Sequence, residues 1–407
     1  MRDMSLTRRR LIEVGGGAAA AIIAANQGAF AQGMGPRAAG QPMPSGVELP
    51  ETPPRTKSAD SVGIAIIGLG DYALKQIMPR VEQTDRVHIA ALVSGNADKL
   101  REVGEAYGVP RASRYSYDNF TRIAQNDDVD AVYIILPSGL HAEWAERSFA
   151  AGKHVLSEKP MALSTAECER MIAAGRRVNR KLMIGYRCHF EPYNLKAMEL
   201  IREGAVGTPR LFRTEHSYRA GPTTPSENWR FNRALAGGGP LEDYGIYGLQ
   251  AALYLSGEMP ETISGTTFQP SGDPRFAEIF AHTGAQLRFP SGAVAQIATS
   301  YDSAGRNMAE ARGTTGALSM EPATGYEGNT LSVRSGGSEQ EYEPGESTVQ
   351  FARMLDHFAD AIRDGTEIIT PGEMGLRDLA LMEAIYASAK TGRTVKIGAN
   401  GRYEFQG

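Results

Sequence analysis

Asp243 and Tyr247 stand four residues apart, just after Gly237-Gly238-Gly239-Pro240, whose glycines free the backbone to turn before a helix. On that helix the two side chains share a face and point into one cleft. A phenol with a pKa of about 10 is a poor base at neutral pH, but a neighbouring cation favours its phenolate. Lys159, in Glu158-Lys159-Pro160, is the lysine that can supply this cation and can hydrogen-bond a hydroxyl. Together Lys159, Asp243 and Tyr247 suit the removal of a hydroxyl proton as hydride leaves the same carbon. Tyr247 is then the general base in oxidation and the general acid in reduction, with Asp243 orienting the substrate or the tyrosine. On these residues alone a plainer reading stays open, in which Tyr247 is a half-buried core tyrosine and Asp243 a helix-face charge.

Hydride needs an acceptor, and Gly68-Leu69-Gly70-Asp71-Tyr72-Ala73 supplies a place for one. This Gly-x-Gly-x-x-Ala follows an apolar strand and opens a helix, the context in which backbone N–H groups approach a pyrophosphate. The next strand runs into Val93-Ser94-Gly95-Asn96-Ala97-Asp98-Lys99, without the strand-end carboxylate that holds a ribose diol. Ser94 can donate to a 2′-phosphate and Lys99 can pair with it, which favours NADP. Lys99 and Arg101 equally suit a solvated helix face.

The elements that position these residues follow from the apolar pattern. Short apolar runs at 62–67, 87–93, 131–136, 154–156 and 182–184 alternate with helix-like segments at 97–107, 140–150 and 164–178. That alternation predicts an α/β fold with a parallel Rossmann sheet over 61–185. Lys159 then lies at the carboxyl edge of its strand, where an open α/β sheet places its ligand crevice. Beyond Gly185, alternating segments at 209–219, 262–270, 277–289 and 292–301 predict an α/β domain over 186–407 with a large open, mostly antiparallel sheet. Two last helices, near 348–364 and 373–391, should pack back on the body.

With 407 residues, 42% hydrophobic and 22% charged, the chain can form two globular domains, and a net charge of −4 provides no basic field for nucleic acid or an anionic membrane. Two cysteines, Cys168 and Cys188, make neither a disulfide framework nor a metal-ligand pair; both read as structural, and no metal site is expected. Thr7-Arg8-Arg9-Arg10-Leu11-Ile12, the apolar run Val14 to Ala25 and Ala29-Phe30-Ala31 read as a twin-arginine signal over 1–31, with an ordinary secretory signal as the alternative. The mature protein is then periplasmic and soluble. Export in the folded state fits a cofactor loaded beforehand and kept through turnover. Residues 32–60, rich in proline, glycine and alanine, read as an arm.

Several stretches jointly resemble the glucose-fructose oxidoreductase and inositol dehydrogenase superfamily, and most closely its glucose-fructose and aldose-aldose oxidoreductase branch. They include Leu92-Val93-Ser94-Gly95-Asn96-Ala97, Val132-Tyr133-Ile134-Ile135-Leu136-Pro137, Glu158-Lys159-Pro160, Gly185-Tyr186-Arg187-Cys188-His189, Trp229-Arg230, the triple-glycine segment and Pro322-Ala323-Thr324-Gly325-Tyr326. The resemblance implies tightly held NADP and a ping-pong reaction in which one aldose leaves as lactone and a second sugar as alditol. It places Lys159, Asp243 and Tyr247 on catalytic positions, and Arg187, Trp229, Arg230 and Tyr326 along the nicotinamide and sugar crevice. Gly68, Leu69, Gly70, Tyr72, Ala73, Ser94, Gly95, Lys99, Tyr117, Leu136, Pro137, His141, Glu158 and Lys159 fall on cofactor-binding positions. The arm implies a homo-oligomer, dimer or tetramer. Ser138-Gly139 departs from the branch pattern, and 214–228, expected to border the sugar, diverges. Two other readings stay open: an exported sugar or glycoside dehydrogenase acting at another carbon with an external electron acceptor, and a non-catalytic sensor of nucleotide and sugar.

Overall fold

All six residues of the first strand, β1 (Val62–Ile67), are buried, as expected of a parallel strand covered on both faces. The computed structural model describes Ser58, residues 60–398, Gly401 and 403–405; the expected signal segment and nearly all of the arm lie outside the described residues. β1 sits in a six-stranded sheet of order β3-β2-β1-β4-β5-β6. Its other members are β2 (Val87–Val93), β3 (Arg114–Tyr115), β4 (Ala131–Ile134), β5 (His154–Ser157) and β6 (Leu182–Ile184), and every pairing is parallel. The chain winds outward from β1 to β3 and then restarts at β4 on the other side of β1. The carboxyl ends of β1 and β4 therefore flank a crevice at the switch point. The sequence pattern found five of these strands; two-residue β3 is too short to show a period.

The second sheet has ten strands in the order β14-β13-β12-β11-β7-β10-β9-β8-β15-β16. They are β7 (Pro209–Arg219), β8 (Thr262–Phe268), β9 (His282–Arg288), β10 (Val294–Ser300), β11 (Asp302–Gly313), β12 (Gly316–Met320), β13 (Ser332–Ser335), β14 (Ser338–Glu341), β15 (Val395–Ile397) and β16 (Tyr403–Phe405). All pairings are antiparallel except β7 with β10. The helix Ile246–Ser256 packs against this sheet, with eight of its eleven residues buried, because it is covered on nearly every side.

The two expected end helices pack back as anticipated, and one of them crosses the domain division. Phe351, Met354, Leu355 and Phe358 of helix Val349–Arg363 join Ile64, Ile66, Leu92 and Leu156 in one apolar cluster of the Rossmann sheet. The last part of the chain thus completes the core of the Rossmann sheet. Among the described residues, no helix is long and apolar enough to cross a membrane, no group of acidic, His or Cys side chains could hold a metal ion, and both cysteines are free and buried.

Candidate active site

β1 ends in Gly68, whose N–H donates to Val93 O at 3.0 Å and whose φ is +94°. A Cβ there would lie 2.2 Å from Ile135 O, so only glycine fits. At Gly70 a Cβ would meet nothing within 4 Å, which leaves an open cradle at the helix start. The π-helical turn Ala73–Ile77 begins just beyond, with Leu74 N–H donating to Gly70 O at 3.0 Å. Backbone donors and an open cradle suit a pyrophosphate.

At the edge of this cradle, Lys99 Nζ donates to Leu69 O at 2.7 Å, folding its ammonium over the glycine turn. Burial draws its pKa below the usual lysine range. Arg101 instead pairs at the surface with Asp98 at 2.7 Å and Glu102 at 3.1 Å. The two cations considered together in the sequence therefore separate, and only Lys99 turns to the cradle. Ser94 Oγ accepts from Asn96 N–H at 3.2 Å, which leaves its own proton free to donate. Asn96 Oδ1 accepts from Lys99 N–H at 3.0 Å and caps helix Ala97–Ala106. The strand end thus offers a hydroxyl and an ammonium and no carboxylate, a set that suits a 2′-phosphate. Tyr117 hydrogen-bonds the Gly95 backbone, and burial pushes its phenol up to about 12.

Both ring nitrogens of the buried His141 face backbone carbonyls, Nδ1 2.9 Å from Pro160 O and Nε2 2.8 Å from Leu136 O. His141 ties the loop after β4, with Leu136 and Pro137, to the loop after β5 that carries Lys159.

Lys159 Nζ donates to Asp243 O at 2.5 Å, lies 3.8 Å from Asp243 Oδ1 and stands 4.5 Å from the Tyr247 ring centre. Asp243 belongs to the π-helical turn Leu241–Gly245, and Tyr247 to the helix that continues it. Such turns often mark functional sites. Asp243 Oδ2 accepts from Arg230 Nε at 3.2 Å and from the Tyr301 hydroxyl at 2.8 Å. Burial works against its charge, but Arg230, Lys159 and Tyr301 outweigh it and hold the carboxyl below the usual range. Glu158, on the cofactor side, accepts from the Tyr133 hydroxyl at 2.5 Å and from Lys159 N–H at 3.2 Å; burial pushes its pKa up.

The sequence reading credited Lys159 with favouring the Tyr247 phenolate. The structure adds a second cation: Lys159 lies over the ring, and Arg187 Nε donates to the phenol oxygen at 3.2 Å. Burial pushes the Tyr247 phenol up, and Arg187 pulls it the other way. Tyr326, 40% exposed, stacks 4.7 Å from the Arg187 guanidinium and 5.9 Å from the Tyr72 ring of the glycine-turn helix. Trp229 backs Arg230 at 4.6 Å. Tyr218, inside the divergent segment, lies 5.1 Å from Tyr301 and 5.2 Å from Tyr244, so that segment does border the Asp243 site. Tyr301 and Gln350, which hold Asp243 and Arg187, belong to no sequence motif and were not anticipated.

The structure thus gathers Lys159, Asp243, Tyr247, Arg187, Arg230 and Tyr326 beside the glycine cradle. Residues 62–186 match the oxidoreductase family with an NAD-binding Rossmann fold, and 194–319 match the GFO/IDH/MocA C-terminal domain. The chain belongs to this GFO/IDH/MocA oxidoreductase family. It is 46% identical to the crystal structure of aldose-aldose oxidoreductase from Caulobacter crescentus complexed with glycerol, covering 83% of this chain and 99% of that one with a TM-score of 0.79. It is 30% identical over 347 residues to D-xylose 1-dehydrogenase [NADP(+)] of Haloarcula marismortui, covering 84% of this chain and 95% of that one. KijD10, a 3-ketoreductase from Actinomadura kijaniata solved with NADP and TDP-benzene, is 26% identical with a TM-score of 0.71, covering 81% and 98%. The last two carry in name the cofactor expected from Ser94 and Lys99.

Proposed function

We propose that this chain is a sugar oxidoreductase that keeps one NADP through alternating half-reactions, oxidising an aldose at C1 to the lactone and reducing a second sugar, aldose or ketose, to an alditol. Bound NADP supplies the two-electron carrier between the sugars. Ser94, Lys99 and the glycine turn hold its phosphates. Asp243, kept ionised by Arg230, Lys159 and Tyr301, accepts a hydrogen bond from a sugar hydroxyl and fixes the reacting carbon. Tyr247 takes the C1 hydroxyl proton in the first half-reaction and returns it to the carbonyl oxygen of the second sugar. Over the two half-reactions the proton taken from the first sugar balances the one given to the second. In this reading the protein works in the periplasm after twin-arginine export, as a homo-oligomer.

The convergence of Lys159, Asp243 and Tyr247 beside the cradle carries this reading, and 46% identity to an aldose-aldose oxidoreductase supports it. The test is the ultraviolet spectrum of the purified protein before and after glucose, with no nucleotide supplied. The expected result is reduced-nicotinamide absorbance that rises with glucose and falls when a second sugar is added. A spectrum without nucleotide, or one that no aldose changes, would contradict the reading.

A further inference from the structure

Arg187 is only 3% exposed, and a cation that deep is costly unless its N–H groups find acceptors. Nη1 donates to Gln350 Oε1 at 2.6 Å and Gly325 O at 3.2 Å, Nη2 to Thr324 O at 2.6 Å, and Nε to the Tyr247 oxygen at 3.2 Å. None of these four acceptors is a carboxylate, so they satisfy the guanidinium without neutralising it. The acceptors are themselves fixed. Gln350 Nε2 donates to Tyr326 O at 3.1 Å and Ser347 O at 2.9 Å, and Asn307 Oδ1 accepts from Thr324 N–H at 3.0 Å. Asn329 Oδ1 accepts from Gly325 N–H at 2.6 Å.

We propose that Arg187 is the positioning residue of the proton-transfer tyrosine: held by Thr324, Gly325 and Gln350, it fills one acceptor site of the Tyr247 oxygen, turns the O–H toward the crevice, and with its unneutralised charge favours the phenolate that sugar oxidation needs. The inference rests on Tyr247 being the proton-transfer group of the proposed reaction. The groups that face Tyr247 come from several elements: Lys159 and Glu158 after β5, Arg187 and Cys188 beyond β6, His216 on β7, Tyr326, Tyr72 and, on β4, Tyr133. Burial opposes the phenolate most strongly; Arg187 is the largest influence in its favour, and Cys188 and Glu158 act against it.

The sign of the effect follows. Without the cation the phenol pKa rises, the phenolate fraction at neutral pH falls, and the half-reaction in which Tyr247 accepts a proton slows. Reduction slows as well, because a phenol of higher pKa is a weaker proton donor. Raising the pH restores phenolate in parent and variant alike, so oxidation levels off at a higher pH in the variant.

The test compares the parent holoenzyme with Arg187→Met and Arg187→Lys, each checked for bound NADP by released nucleotide. Aldose oxidation and second-sugar reduction are followed as separate half-reactions from mildly acidic to alkaline pH. An opposite charge is worth about one to three pKa units, so Arg187→Met should lose roughly 10- to 1,000-fold in oxidation at neutral pH, mainly in kcat. Reduction should fall as well, and the pH at which oxidation levels off should move up. Arg187→Lys, which keeps the charge, should recover part of the loss; if Arg187→Met does not fold, the lysine variant must still level off at a higher pH than the parent. A pH profile of oxidation merely scaled down, with its shape unchanged, would overturn the role of Arg187. A parent enzyme that oxidises no aldose would instead overturn the reading on which the inference stands.

Discussion

Tyr247→Phe removes the proton-transfer group and leaves every residue at the phosphate cradle in place. It should keep bound NADP and lose about 100- to 10,000-fold in hydride transfer, measured by single turnover of the bound nucleotide. A variant within about threefold of the parent would remove Tyr247 from that role. At this scale the sequence marked the proposed reacting groups but not their supports. Lys159, Asp243 and Tyr247 sit in motifs with glycine or proline punctuation. Tyr301, which donates to Asp243 at 2.8 Å, and Gln350, which accepts from Arg187 at 2.6 Å, arrive from distant elements that only folding brings near. His141, which the sequence placed at the cofactor, faces two backbone carbonyls with its ring nitrogens.

In the proposed reading, the glycine turn and the start of helix Ala97–Ala106 together select the nucleotide. Replacing Ser94→Asp together with Lys99→Ala should weaken NADP and shift preference toward NAD, because the new carboxylate repels a 2′-phosphate and accepts from a ribose hydroxyl. Stripped protein reconstituted with each nucleotide checks this, and an unchanged preference would place the phosphate elsewhere. Elements with a clean period were legible: fully buried β1, and β10, which alternates buried and exposed residues over most of its length. The strands β11 to β14 were not. β11 opens on Asp302-Ser303-Ala304-Gly305-Arg306-Asn307, a run with no apolar alternation, and all four residues of β14 are exposed, so in these two stretches pairing with neighbours rather than an apolar face defines the strand.

For the whole molecule, helix Val349–Arg363 gives Phe351 to the Rossmann core and Gln350 to Arg187, so the two domains form the crevice jointly. That shared construction was hidden in the sequence, because an amphipathic helix does not say which sheet it will cover. In the proposed reading the arm over 32–60 lies extended along a neighbouring subunit and helps retain NADP; a proline-rich segment loses less entropy on docking than a flexible one. Deleting residues 32–56 should therefore speed NADP loss and weaken association while the catalytic domain still folds, as light scattering and released nucleotide would show. A truncated protein that keeps both its mass and its NADP would make the arm a spacer. The central claim, that one retained cofactor passes electrons between two sugars, is tested most directly by the products formed from a single aldose with no added nucleotide or electron acceptor. The account predicts lactone and alditol in equal amounts over many turnovers per enzyme. Oxidation that stops after one turnover, or that continues only with an external acceptor, would contradict it.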